Sequence, residues 1–218
     1  MKKVKKSLIL NILIVILVLL GNIFMFNGIK FMPAQDLLTA TKIEMFKFYT
    51  VDSNILIGII SLWLIIYECL LLRKKINKIP ERVYILKLLG TAGIMLTFLV
   101  TLVFLTPRYG FYAMYNNSNL FFHLIVPLLA LTSYVFFEKH NNKLKNALYG
   151  LLPMIIYSIY YTGAIIAHLK TDGLSYKYDF YGFLGGKMSN IIFALPIIYL
   201  ITYLISLIIV FLNKKLAK

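Results

Sequence analysis

The sequence predicts an all-α polytopic membrane protein, a bundle of six transmembrane helices in a single integral membrane domain over residues 1–218, and three observations predict it. Hydrophobic residues make up 61% of the chain and charged residues 14%, with a mean hydropathy of +0.83. Soluble domains run at roughly 45–50% and about 25%. Six apolar runs, 8–26, 48–72, 83–106, 120–137, 148–169 and 191–212, are near the length of roughly 20 residues that crosses a hydrocarbon core about 30 Å thick. Between the runs the basic residues alternate in density, as they do when successive loops lie on opposite sides of a bilayer.

The opening Met1-Lys2-Lys3-Val4-Lys5-Lys6 followed by apolar residues resembles a signal peptide. No small-x-small cleavage site follows before Phe31, so the run is kept as the first span. The connection to span two contains Pro33 and then good helix formers with Leu37, Leu38, Ile43 and Phe46, which predicts a short helix over 34–46 on the membrane interface. Span two opens at Phe48 with Thr50, Asp52, Ser53 and Asn54, polar groups whose entry into a membrane costs free energy unless they meet partners or a cavity. Glu68 and Lys87 lie at similar depth near the facing ends of spans two and three, and predict a structural ion pair. Span four holds His123 and, four residues later, Pro127, which cannot donate to the His123 carbonyl and should kink the helix beside the imidazole. The last connection, from Ser175 to Leu184, is too aromatic for a solvated linker and is expected at headgroup level or over the bundle mouth.

Lysine and arginine set the orientation. The amino terminus, the second-to-third and fourth-to-fifth loops and the tail hold fifteen, against seven on the opposite side: Lys30, Lys42, Lys47, Arg108, Lys170, Lys177 and Lys187. Acids such as Asp36, Glu44, Asp172 and Asp179 dilute that second set further. Both termini are therefore expected to be cytoplasmic, in the cell membrane. The net charge of +15 does not point to nucleic acid, because the basic residues sit between apolar runs rather than on one face of a soluble domain. Membrane lipids are the expected partners, and anionic headgroups should gather at the basic rim. The lone Cys69 excludes an intramolecular disulfide. Oligomeric state is left open.

At 3.6 residues per turn Thr50, Asn54, Gly58, Ser61 and Glu68 share one face of span two, while Asp52 points roughly opposite to Thr50. Thr50 is a candidate nucleophile; its plain alternative is a hydroxyl bonded to its own helix backbone or capping it. His123 lies at the depth of Thr50, either as its partner or as an interfacial polar residue. In span five Tyr157, Tyr160, Tyr161, Ala164 and His168 form one face that could line a cavity or simply pack against a neighbouring helix. Arg108, just outside span three, suits a substrate carboxylate or phosphate, and equally a lipid headgroup. No metal-ligand cluster, phosphate-binding Gly loop or nucleophile elbow occurs, so no metal and no cofactor are expected.

With Tyr49-Thr50-Val51-Asp52-Ser53-Asn54-Ile55-Leu56 opening span two, His123-Leu124-Ile125-Val126-Pro127 in span four, Pro153 to Tyr157 in span five and Tyr178-Asp179-Phe180-Tyr181-Gly182-Phe183-Leu184, the chain resembles the androgen-induced and androgen-dependent TFPI-regulating protein family, in its bacterial branch. It departs from the bacterial pattern in having Ser133-Tyr134 where an Asp-Trp pair often stands, and in lacking the prolines of a Tyr-Pro-Tyr-Pro-Phe-Leu stretch. Animal members are six-span membrane hydrolases that cleave fatty acid esters of hydroxy fatty acids with a Thr nucleophile and a His on another span. The resemblance implies Thr50 and His123 in those roles and a lipid ester as substrate. Asn54 or backbone amides at the start of span two are the expected oxyanion donors, with Asp52 or Asp179 as a third member of the site. Substrate contacts are expected from Asn54, Asp52, Arg108, Tyr157, Tyr161 and His168. The rival readings are a non-catalytic lipid-binding or small-solute transport protein, and a structural subunit in which Thr50 and His123 never meet.

Overall fold

The structure, a computed structural model, describes residues 1–33, 40–175, 177–184 and 187–217, and of Asp172 the backbone alone. Six helices are long and apolar enough to cross a membrane: α1 (Lys2–Asn27), α2 (Tyr49–Leu72), α3 (Glu81–Tyr109), α4 (Asn117–Phe136), α5 (Leu144–Thr171) and α6 (Met188–Leu216). The chain is thus an all-α, multi-pass membrane bundle, with both termini at one end. Most helix ends overrun the apolar runs by a few residues, because backbone hydrogen bonding continues into polar residues that hydropathy leaves out. Local chemistry sets the stops. Gly28 takes a left-handed conformation (φ 67°) after α1 and donates to Met25, while Ile29 N–H reaches back to the Phe24 carbonyl. Gly110, at φ 89°, ends α3. Of the interfacial helix expected over 34–46, residues 34–39 lie outside the described residues, and the rest holds a short 3₁₀ turn, Lys42–Lys47.

α3 is the centre of the bundle, packed on α2, α4, α6 and the first turns of α5, while α1 closes the other side against α2 and α4. Small residues allow this: Gly90, Thr91, Ala92 and Gly93 are all buried on α3. At Gly150 of α5 a Cβ would stand 2.6 Å from the Ser206 Cβ and 2.9 Å from the Ala92 Cβ, so α3, α5 and α6 meet there backbone to backbone. Ile59, Trp63, Phe104, Ile159, Phe193 and Ile208 are exposed on the periphery, where lipid would cover them.

Two helices change winding at the end opposite the termini. α3 passes through a π turn at Thr101–Leu105 and α4 through another at Phe121–Ile125. In α4 the Val126 N–H bonds the Phe121 carbonyl, and the Phe122 carbonyl would accept from residue 127, which is Pro127 and has no N–H. Asn54 Nδ2 of α2 supplies the missing donor at 3.3 Å and also donates to the Thr50 carbonyl at 2.8 Å. The kink expected beside His123 is therefore a π turn stitched to the neighbouring helix.

At the end with the termini, the structure replaces the direct Glu68–Lys87 pair with a network. The fully buried Lys87 ammonium donates to Asn11 Oδ1 (2.6 Å) and Ser61 Oγ (2.7 Å), and feels Glu138 and Glu68 as longer-range charges. Glu138 Oε1 accepts from Ser133 (2.7 Å), Ser7 (3.4 Å) and Asn11 (3.5 Å), so four helices and the α4–α5 connection converge on one ammonium.

Candidate functional site

Thr50 sits in the first turn of α2, whose N-cap Phe48 offers no side-chain cap. Its carbonyl takes Ser53 Oγ (3.2 Å) and Asn54 Nδ2, but among the described residues its hydroxyl has no hydrogen-bond partner. The plain alternative, a hydroxyl spent on its own helix, is therefore not what the structure has. Tyr181 does the capping instead. Its phenol oxygen accepts the Tyr49 N–H at 2.9 Å and also the Thr50 N–H. Burial holds the phenol above its ordinary pKa, so it is neutral and accepts through lone pairs.

His123 is buried on the π turn of α4, and its Nδ1 lies 2.7 Å from the Met114 carbonyl. A carbonyl only accepts, so Nδ1 carries the proton and Nε2 carries the lone pair. Nε2 makes no hydrogen bond among the described residues. Thr50 and His123 line the same cavity of about 30 Å³, together with Met25, Leu105, Asn119 and Tyr181. That is room for a water or two, or for a carbonyl group. Tyr115 stands edge-on to the imidazole with ring centroids 6.3 Å apart.

Thr50 also belongs to the wall of a second cavity, of about 250 Å³, with Tyr49, Thr97, Arg108, Tyr157 and Tyr181. A third, of about 400 Å³ and mainly apolar, shares Val100, Leu105, Arg108, Met154, Tyr157 and Phe183 with it and runs on past Tyr161 between α5 and α6. Leu105 and Tyr181 border all three. The aromatic connection lies over them: Tyr161 donates to Asp179 Oδ1, Leu184 N–H donates to Asp179 Oδ2 at 3.1 Å, and Phe180 packs edge-on to both Phe48 and Tyr161.

Of the residues singled out from sequence, the structure brings Thr50, His123, Arg108, Tyr157 and Tyr161 onto this connected set of walls. It keeps the others away. Asn54 is fully buried and engaged with Phe122 and Thr50 carbonyls, because Pro127 left one of those carbonyls without a donor. Asp52 is half-buried and lies on none of the three walls, as its position opposite Thr50 on the helix dictates. His168 stacks on Tyr178, centroids 3.9 Å apart, at the far end of α5. Neither Asp52 nor Asp179 orients His123; the Met114 carbonyl does. The expected oxyanion donors at the start of α2 exist, but Tyr181 occupies them. Sequence reading missed Met114 and the cap by Tyr181. The first is a backbone group, and the second joins residues 132 apart. Among the described residues no cluster of three His, Cys, Asp or Glu side chains could hold a metal. Comparison of the chain with protein-family models, with curated proteins and with solved structures found no match.

Proposed function

We propose that the protein is an intramembrane hydrolase of lipid or fatty-acid esters, with Thr50 as nucleophile and His123 as general base. The observation that carries this reading is the shared wall: Thr50, whose hydroxyl is unbonded, and His123, whose Nε2 lone pair is uncommitted, line one small cavity, which shares Leu105 and Tyr181 with two larger ones. Thr50 Oγ1 attacks the ester carbonyl and passes its proton to His123 Nε2. The tetrahedral intermediate then expels the alcohol, which takes that proton, leaving an acyl-threonine. Water adds to the acyl group with His123 again as base, releasing the fatty acid and restoring Thr50. The Met114 carbonyl keeps the ring in the required tautomer throughout. The oxyanion takes the place now held by the Tyr181 oxygen, at the first-turn amides of α2, so productive binding displaces that phenol. The apolar cavity between α5 and α6 holds the acyl chain, and Arg108 meets a polar or anionic end of the substrate. The excess of basic residues near the termini supports placing them in the cytoplasm, which puts this site in the outer half of the cell membrane.

The lidded apolar cavity of about 400 Å³ also favours a second reading, lipid binding without chemistry. One experiment separates the two. Purified protein is treated with a fluorophosphonate probe, comparing wild type with Thr50→Ala, Thr50→Ser and His123→Ala. The hydrolase reading expects labelling of wild type and Thr50→Ser, and loss of at least roughly a thousandfold in Thr50→Ala and His123→Ala. Undiminished labelling of Thr50→Ala removes Thr50 as nucleophile. Absence of labelling and of ester turnover in wild type leaves lipid binding.

A further inference from the structure

The largest cavity described lies at the other end of the bundle. It measures about 610 Å³ and is walled by three segments far apart in sequence: the first residues of α1, the α2–α3 connection running into α3, and the chain just after α4. Lys2, Lys3, Lys78 and Lys139 line it from all three segments, against Glu81 as the one acidic residue on its described walls. Apart from Asn77, its remaining wall is apolar or aromatic, including Leu71, Ile79 and Phe137.

That wall is a built one. Tyr84 and His140 stack face to face, ring centroids 4.7 Å apart and planes 12° from parallel. His140 Nδ1 donates to the Glu138 carbonyl at 3.0 Å, which leaves Nε2 to accept the Tyr134 hydroxyl at 3.2 Å. Both ring nitrogens are thus committed in the neutral form, and burial lowers the pKa of the ring further towards it. His140 is therefore a rigid panel that anchors the cavity to the buried Glu138–Lys87 network, not another cation. Lys6 lies over the Phe137 ring, 5.5 Å from its centroid, and adds a fifth basic residue at the rim. α3 starts here without a side-chain cap on its first-turn amides, which adds positive potential.

We infer that this cavity is a binding site for the phosphate group of an anionic phospholipid, held by Lys78, Lys139 and the α1 lysines, with the upper part of an acyl chain against Leu71, Ile79 and Phe137. A phosphate ester suits lysines converging from several directions, because each ammonium acts as a point charge without the fixed plane a carboxylate–arginine pair needs. The apolar panel and the position at the end of a membrane-spanning bundle favour a lipid over a soluble phosphate. This site is independent of the proposed hydrolase chemistry, from which the whole bundle separates it.

The test uses the full chain in detergent, titrated with phosphatidylglycerol, phosphatidylcholine or glycerol phosphate and read by native mass spectrometry of bound adducts. Lys78→Ala/Lys139→Ala is compared with Lys214→Ala/Lys215→Ala, which removes the same charge from the tail, off the described walls of this cavity. All four lysines are exposed, and circular dichroism verifies that both variants fold. The expectation is preferential binding of phosphatidylglycerol, weakened roughly fivefold for each cavity lysine and roughly twenty-five-fold for the pair, and changed less than about threefold by the tail variant. An equal loss in the tail variant would reduce the effect to a diffuse basic rim and overturn the site. Phosphatidylcholine binding as well as phosphatidylglycerol would remove the anion requirement, and glycerol phosphate binding as tightly as the lipid would overturn the lipid as its source.

Discussion

The substitution Tyr181→Phe deletes one oxygen and leaves the ring, so its consequences can be worked out from the contacts that oxygen makes. The ring would keep its neighbours: Phe180 with centroids at 4.8 Å, Phe183 at 5.2 Å and Tyr161 at 5.9 Å. What disappears is the acceptor for the Tyr49 and Thr50 amides, together with a hydrogen bond to the Tyr157 hydroxyl. A lost helix cap costs about 0.5–2 kcal/mol, and an unsatisfied buried donor about 1–3 kcal/mol. Here the amides border a cavity of about 250 Å³ that water can enter, so the lower part of those ranges applies, about 1–2 kcal/mol. The melting temperature in detergent should fall by about 2–8 °C. Hydrogen exchange is the sharper assay, since the loss is localised: the amides at Tyr49 and Thr50 should exchange roughly 5–30-fold faster, while those deep in α2 stay as they were. On the proposed mechanism the freed amides also make the oxyanion site available, and fluorophosphonate labelling of Thr50 should accelerate. Unchanged protection at Tyr49 and Thr50 would show that the phenol is not their cap and that the lid is held by ring packing alone.

Lys87→Met leaves two carboxyl groups buried around a vanished cation and should cost about 3–5 kcal/mol in thermal unfolding, with Glu138→Gln in the same chain restoring part of it. A single variant that melts like the wild type would mean the network is not organised on Lys87. Gly150→Ala drives a methyl group into Ser206 and Ala92 and should destabilise by about 1–3 kcal/mol; Ser206→Gly in the same chain should relieve it, and an additive double variant would refute the contact. For pH, burial lowers the His140 pKa below its ordinary 6.5, so the stability its neutral ring contributes is present above that value and lost as pH falls through the folded-state pKa. The Glu138 carboxyl is shifted up by burial and works in the opposite sense, its contribution fading as pH rises. The difference in melting temperature between wild type and His140→Gln isolates the histidine: it should shrink on acidification below about 6.5, and a constant difference would refute the shift.

Spans, helix class and the placing of Thr50 and His123 on one cavity wall were legible because they follow from short-range counting: length against bilayer thickness, 3.6 residues per turn, matching depth in antiparallel helices. Asn54 shows where counting fails. It shares the Thr50 face as the period requires, yet its amide is drawn to a carbonyl on α4 that Pro127 left without a donor. That demand comes from another helix and has no trace in the local sequence. The network at Lys87 failed in the same way. Ser7 and Asn11, one turn apart in α1, and Glu138, directly after span four, were the available signal, but only packing shows that Asn11 meets the ammonium and that Ser7 and Asn11 both meet Glu138. Tyr181 was legible as part of an aromatic lid and illegible as a cap, because which aromatic reaches a helix terminus depends on the path of the loop.

The π turns at Thr101–Leu105 and Phe121–Ile125 make the site a matter of register as well as of residue type. Each turn holds one residue more than an α-helical turn, and one residue is about 100° of rotation. His123 and Leu105, which both line the small cavity, each lie within one of these turns. A single deletion within Phe121–Ile125, chemically silent if it removes one apolar side chain among several, would rewind α4 and swing the chain on the His123 side of the turn about a quarter of the way around the helix. The bundle would keep its span length and hydropathy and lose the meeting of α2 and α4. Substitution and deletion thus separate cleanly here: the first tests what the residues do, the second tests how the helix aims them.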